Sequence, residues 1–121
     1  MEKILVDTSV WVQHFRAGNQ HLEELLQEGQ VVTHSFIIGE LACGNIKNRA
    51  EILFLLQSLP ITPNLSPEEF LFFIEHHQLM GTGLGFVDVH LLASAKLADT
   101  PLWTLDKKLN AASHTLGIRY R

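Results

Sequence analysis

Short apolar runs alternate with helical periods along the whole chain. Ile4-Leu5-Val6 is an apolar triplet after a polar start, and it predicts a buried strand. Thr8 to Phe15 reads as a short helix. Asn19 to Glu28 sets Leu22, Leu25 and Leu26 on one face and stops at Gly29, which predicts a second. Val31-Val32-Thr33 is strand-like. Ser35 reads as the cap of an apolar helix that runs through Cys43 and ends at Gly44. Lys47 to Leu59 carries Ala50, Leu53, Phe54 and Leu56 at helical spacing. Pro60 to Pro63 is a proline-bounded extended piece. Ser66-Pro67-Glu68-Glu69 combines a capping box with proline in the first turn, so a helix is expected from Pro67 to about Leu79. After the Gly81–Gly85 loop, Leu91, Leu92, Ala95 and Ala98 form the stripe of a helix over Val87 to Ala98. Pro101 to Leu105 predicts a strand, Lys107 to Leu116 a helix and Ile118 to Tyr120 a last short strand.

Strands that alternate with helices imply an α/β fold, a mainly parallel sheet with helices on both faces. Such sheets take ligands at the carboxyl ends of their strands. With 121 residues the chain is expected to be one domain, 1–121. A hydrophobic content of 46% excludes a disordered chain, and no run is long enough to span a membrane. The single cysteine, Cys43, excludes an internal disulfide framework and a thiolate zinc cluster. It sits in an apolar helix and reads as core. The start shows no basic, then long apolar, signal segment, so a soluble cytoplasmic protein from a reducing compartment is expected.

The net charge of −4 argues against nucleic acid until the acids are placed. Asp7 follows the first strand and Asp106 the Pro101–Leu105 strand, each at a carboxyl end. Asp88 precedes Leu91, Leu92 and Ala95 by three, four and seven positions, which sets it on the apolar stripe. Glu40 is the only charged residue between Val31 and Ile46, among Phe36, Ile37 and Leu41, and is expected to face apolar surroundings. No lysine or arginine stands at helical spacing to either. Buried carboxylates stay charged only when paired or bound to a cation. Setting these four aside leaves nine acids against nine bases, so the whole net charge belongs to one suspected site. Oxygen ligands without sulfur or clustered imidazole favour Mg²⁺ or Mn²⁺, and two such ions would cancel four carboxylates. Each acid alone reads as well as a turn or helix cap. It is the set of four that points to a site.

The residues that carry these acids resemble a known family. Leu5-Val6-Asp7-Thr8-Ser9-Val10-Trp11, Ile38-Gly39-Glu40-Leu41, Gly85-Phe86-Val87-Asp88-Val89-His90-Leu91-Leu92-Ala93-Ser94-Ala95 and Leu102-Trp103-Thr104-Leu105-Asp106 occur in the order of the PIN-domain ribonucleases, most closely the VapC-type toxins of bacterial toxin–antitoxin pairs. The resemblance covers nearly the whole chain. It implies a three-layer α/β/α sandwich and a Mg²⁺- or Mn²⁺-dependent endoribonuclease. Asp7, Glu40, Asp88 and Asp106 would be its acidic metal site, with Asp106 acting directly or through water. Thr104 matches a hydroxyl that orients the site, and Thr8 and Ser9 would assist beside Asp7 or meet the substrate. The family further implies an RNA substrate, an antitoxin partner and a homodimer. Metal-assisted attack by water would leave a 5′-phosphate and a 3′-hydroxyl.

Lys107 and Lys108 adjoin Asp106 and are candidates to meet substrate phosphates; Arg119 and Arg121 read better as a solvated terminus. The histidines lack metal-ligand spacing, and His90, two positions from Asp88, is expected to point away from it, solvated or satisfied. Gly81, Gly83 and Gly85 follow a helix, so they do not make a dinucleotide fingerprint and read as a tight approach to Asp88. Phe70-Leu71-Phe72-Phe73-Ile74 points all round its helix, which fits either a sandwiched helix or a partner surface. A receiver domain would need an acid pair after the first strand, and a haloacid-dehalogenase-like phosphatase a second acid after Asp7-Thr8; Ser9 fills that place. The remaining rival is a catalytically idle PIN-like module that binds RNA or protein.

Overall fold

A computed structural model describes residues 2–121. Its elements run β1 (Ile4–Val6), α1 (Thr8–Ala17), α2 (Gln20–Gln27), β2 (Val31–Val32), α3 (Ser35–Cys43), α4 (Arg49–Ser58), α5 (Pro67–His77), α6 (Phe86–Leu97), β3 (Leu102–Trp103) and α7 (Lys107–Thr115). The sheet has the order β2-β1-β3 and is parallel throughout, with Leu5 opposite both Val32 and Leu102. Single parallel bridges, Thr33 to Ile61 and Leu102 to Arg119, extend it at each edge. All three residues of β1 are buried although strand side chains alternate between faces, so helices cover both sides of an α/β/α domain.

The caps explain where most helices begin. Asp7, Asn19, Ser66 and Asp106 each accept a backbone N–H at a helix start, and Ser66 with Glu69 completes the expected capping box. One cap differs from expectation. His34, not Ser35, opens α3: its Nδ1 accepts the Phe36 N–H at 2.9 Å. That leaves Nε2 as the protonated nitrogen, and it donates to Ser94 Oγ at 3.1 Å, which ties α3 to α6. Burial, reinforced by the neighbouring His90, lowers the His34 pKa to about 4, so the ring is neutral at pH 7.

The strands are shorter than the apolar runs suggest. The Pro101–Leu105 run pairs only at Leu102 and Trp103, and the Ile118–Tyr120 run contributes one bridge. Helix α5 stops at His77, because Gln78 takes the left-handed conformation, φ 53°. Helix α6 is buried continuously from Val89 to Ala95 and forms the centre of the core with Leu5, Trp11, Ile37, Leu56 and Leu102. Among the described residues no helix is long and apolar enough to cross a membrane.

Candidate functional site

The chain turns out of β1 at Asp7, which is buried and caps α1. Its Oδ2 accepts hydrogen bonds from Ser9 Oγ at 2.8 Å, Thr104 Oγ1 at 2.8 Å and the Ser9 N–H at 3.4 Å. Both hydroxyls are used twice. Ser9 Oγ accepts the Leu105 N–H at 3.0 Å, and Thr104 Oγ1 accepts the Asp106 N–H at 3.0 Å. Each hydroxyl has one proton and gives it to Asp7. Their 3.3 Å separation therefore reflects a shared acceptor, not a bond between them. These contacts lock the carboxyl end of β1 to the segment after β3. They also commit the Ser9 hydroxyl to Asp7 and Leu105, in line with the orienting role beside Asp7 that was one of its two expected roles.

Asp88 lies in the first turn of α6, and its Oδ2 accepts the Gly85 N–H at 3.2 Å. The carboxyl is half-buried, not embedded in the apolar stripe. Burial raises its pKa above the ordinary carboxylate value; the Gly85 hydrogen bond opposes the rise, and the charges of Asp7 and Asp106 add to it. Asp88 thus senses both other acids. Asp106 is exposed and caps α7, its Oδ1 accepting the Leu109 N–H at 2.9 Å.

Glu40 corrects the expectation of apolar surroundings. It is exposed, and its Oε1 accepts the Thr8 hydroxyl at 2.7 Å. Helix α3 is apolar on nearly every side, so its composition marks no inner face, and only Ile37 and Leu41 are buried. Cys43 is exposed for the same reason and is not core. Glu40 and Thr8 stand on the wall of a cavity of about 730 Å³ that also takes in Arg16 and Lys47. The structure therefore brings Asp7, Asp88 and Asp106 into one electrostatic neighbourhood. Glu40 is joined to it through Thr8, the residue after Asp7, and is not among the charges that move Asp88.

As placed, no three acidic, histidine or cysteine side chains among the described residues form a ready cage for an ion. The donor chemistry nonetheless suits a hard cation. Each of the four carboxylates is anchored through one oxygen by a protein donor. The second oxygen of each accepts no hydrogen bond from the described residues. No lysine or arginine among them pairs with any of the four. A divalent cation would relieve the repulsion by Asp7 and Asp106 that adds to the larger effect of burial on the Asp88 pKa.

Lys107 and Lys108 are exposed on the first turn of α7. The Lys108 ammonium lies over the glycine loop: a Cβ added at Gly83, φ +82°, would stand 3.0 Å from Lys108 Nζ. The positive φ favours glycine there, while the flexible Lys108 side chain could move aside from a Cβ.

An aromatic cluster between α3, α5 and α6 escaped the sequence reading. His90 is buried, stacked on Phe70 with centroids 3.8 Å apart, and met edge-on by Phe86 at 4.5 Å and Phe36 at 4.9 Å. Its Nδ1 has no hydrogen-bond partner among the described residues, and burial lowers its pKa. It is neither solvated nor fully satisfied. The spacing of Phe86 and His90, four residues apart on one helix face, was the available signal.

The PIN domain family model matches residues 4–114. Two proteins named Ribonuclease VapC32, from the CDC 1551 / Oshkosh and ATCC 25618 / H37Rv strains of Mycobacterium tuberculosis, are each 44% identical over 116 residues, covering 95% of this chain and 94% of theirs. The crystal structure of PAE2754 from Pyrobaculum aerophilum superposes with a TM-score of 0.62 at 18% identity, covering 91% of this chain and 84% of that one, a likeness of fold.

Proposed function

The chain belongs to the PIN-domain family, and on that premise we propose that it is a Mg²⁺- or Mn²⁺-dependent endoribonuclease, the toxin of a toxin–antitoxin pair. The single observation that carries the reading is geometric: Thr104 ties the Asp7 carboxylate to the backbone of Asp106, Asp88 at the start of α6 senses both charges, and no lysine or arginine among the described residues pairs with any of the three. Three elements remote in sequence spend stability to crowd acids at one sheet edge, a cost that a cation-dependent site explains. The relatives named ribonucleases support the reaction class.

In this reading Asp7, Glu40, Asp88 and Asp106 would hold the cation, which would supply Lewis acidity at the phosphodiester and lower the pKa of water. Ser9 and Thr104 keep Asp7 oriented, and Thr8 keeps Glu40 oriented. Lys107 and Lys108 neutralise substrate phosphates at the mouth of the site. Water attacks phosphorus in line, the bond to the 3′ oxygen breaks, and that oxygen leaves with a proton as the 3′-hydroxyl. No side-chain nucleophile takes part. The whole chain serves as one PIN domain, acts in the cytoplasm, and forms a homodimer and an antitoxin complex. Leu71 and Phe72 on α5, exposed at 62% and 68%, offer apolar surface for such contacts.

The test is incubation of the purified protein with a randomised single-stranded RNA pool, with Mg²⁺ or Mn²⁺ or with EDTA, followed by sequencing of the new 5′ ends. Cation-dependent cleavage with 5′-phosphate products, lost in Asp7→Asn, is expected. RNA binding without cleavage would establish an idle module instead.

A further inference from the structure

The cavity of about 730 Å³ that Glu40 lines has the size of a small-molecule site. One of its walls is α1. Thr8, Val12, Phe15 and Arg16 stand at spacings of four, seven and eight, so they form one stripe that leads away from Asp7. Helix rise sets Arg16 about 12 Å from Thr8 along the axis. The other wall is the end of α3 and the start of α4, from Glu40 to Ile52. Arg49 Nη1 donates to Gly44 O at 3.2 Å and closes the turn between those two helices. The 2.7 Å bond from Thr8 to Glu40 joins the two walls. The cleft therefore starts at an acid of the proposed cation site, and at the residue next to another.

Its polar groups are free. Arg16 and Lys47 line the cleft, are exposed, and pair with no carboxylate among the described residues. Asn45 and Asn48 line it too. Asn48 opens α4 without the side-chain cap bond that Asp7, Asn19, His34, Ser66 and Asp106 make at their helices, so its amide is left for another partner. Half-buried Val12, Phe15 and Ile52 give the space between these groups an apolar lining. Two unpaired cations fit anions carried along the cleft, free amides fit hydrogen-bonding edges, and the lining fits flat apolar faces. A single RNA strand offers all three in every nucleotide. A duplex keeps its base edges paired and withholds them from the amides. An acidic peptide would suit the cations, but it has no need to start at the carboxylates, which a strand must cross to be cut.

We propose that the cleft between α1 and the α3–α4 turn holds the RNA strand on one side of the scissile phosphate, with Arg16 and Lys47 on its phosphates and Asn45 and Asn48 at its base edges. The proposal rests on the nuclease reading above. Arg16 and Lys47 are binding residues, separate from Lys107 and Lys108 on α7, and their effect falls on substrate affinity. The two asparagines act on the choice of sequence.

The experiment uses the full chain. In the Asp7→Asn background, at fixed Mn²⁺, the affinity for single-stranded RNA of the randomised pool is measured against salt. Arg16→Gln and Lys47→Gln each lower the slope of log affinity against log salt by about 0.7. Arg119→Gln, which removes an exposed cation outside the cleft, leaves the slope unchanged. With wild-type acids and the best-cleaved oligonucleotide, each cleft variant raises KM by about fivefold or more with a much smaller change in kcat. A neutral methylphosphonate linkage, moved stepwise along that oligonucleotide, weakens binding at a position on one side of the cleavage site, and there it has no further effect on Arg16→Gln. Asn45→Ala alters which sequences are cut and leaves the salt slope alone. Circular dichroism of the variants shows native helix content. An unchanged slope in both cleft variants, or linkage effects that add to Arg16→Gln at every position, overturns the proposal while leaving cleavage intact. A loss of dimer mass in either cleft variant with unchanged RNA affinity assigns the cleft to a protein interface and also overturns it. Absence of any cleavage by the wild type removes the nuclease reading itself, and the proposal with it.

Discussion

Thr104 lets the account be tested without touching an acid. Thr104→Val keeps the β-branched shape but removes the hydroxyl that donates to Asp7 Oδ2 at 2.8 Å and accepts the Asp106 N–H at 3.0 Å. A hydrogen bond to a charged group is worth about 1.5–3 kcal/mol. Asp7 is buried and keeps its Ser9 donors, so part of the loss is retained. The Asp106 amide belongs to an exposed residue that water reaches, so its lost acceptor adds little. The expected destabilisation is about 2 kcal/mol in EDTA, a fall of roughly 1 M in the urea midpoint for an m-value of ~2 kcal/mol/M. Thr104→Ser keeps the hydroxyl and loses mainly a methyl group, about 0.8 kcal/mol. In the Asp7→Asn background the cost of Thr104→Val falls below about 1 kcal/mol, because the bond is no longer to a charge. A Thr104→Val protein within about 0.5 kcal/mol of wild type, or an equal cost in both backgrounds, refutes the view that Thr104 acts by holding Asp7.

Two further outcomes follow from the charges. The folded protein holds the Asp88 proton more tightly than the unfolded chain does, because its folded pKa is raised. The Asp88 contribution to cation-free stability therefore falls as pH rises from the ordinary value of 3.8 through the raised folded value and is flat above it, superposed on the opposite dependence from the lowered pKa values of His34 and His90 and read as the difference between wild type and Asp88→Asn. Asp88→Asn, which keeps an oxygen for the Gly85 N–H, removes this dependence and leaves the cation-free protein as stable as wild type or more so at pH 7. Urea titrations of both proteins across that range, in EDTA, check the sign, and marked unfolding of the variant at pH 7 rejects it. Lys108→Ala, which removes one ammonium from the loop edge, lowers the slope of log RNA affinity against log salt by about 0.7 for a single strand. An unchanged slope takes Lys108 out of the phosphate path.

Local signals carried most of the helical frame. The capping box at Ser66 and the side-chain caps at Asp7, Asn19 and Asp106 act within a few residues, so the sequence shows them directly. The strands were legible in place but not in length, because pairing decides their ends: Arg119 makes one bridge where an apolar run suggested a strand. Two of the acids, Asp7 and Asp106, could be placed together because the carboxyl ends of parallel strands lie together, whereas Asp88 was read from the stripe of α6 and stands half-buried in its first turn. Glu40 could not be placed, because a helix apolar nearly all round gives no periodicity to choose a face, and its partner Thr8 is 32 residues away. The Phe70–Ile74 run is not sandwiched: Phe70 and Phe73 are buried, and Leu71 and Phe72 are outside. The His34 cap was invisible for another reason: it rests on a buried tautomer set by Ser94, 60 residues on.

The central claim is that acids from separate elements share one divalent cation. Isothermal titration of the purified protein with Mn²⁺ tests it most directly. The account predicts saturable binding by wild type, weakened at least tenfold in both Asp7→Asn and Asp88→Asn while each variant stays folded. No Mn²⁺ binding by wild type, or unaltered affinity in either variant, would contradict it.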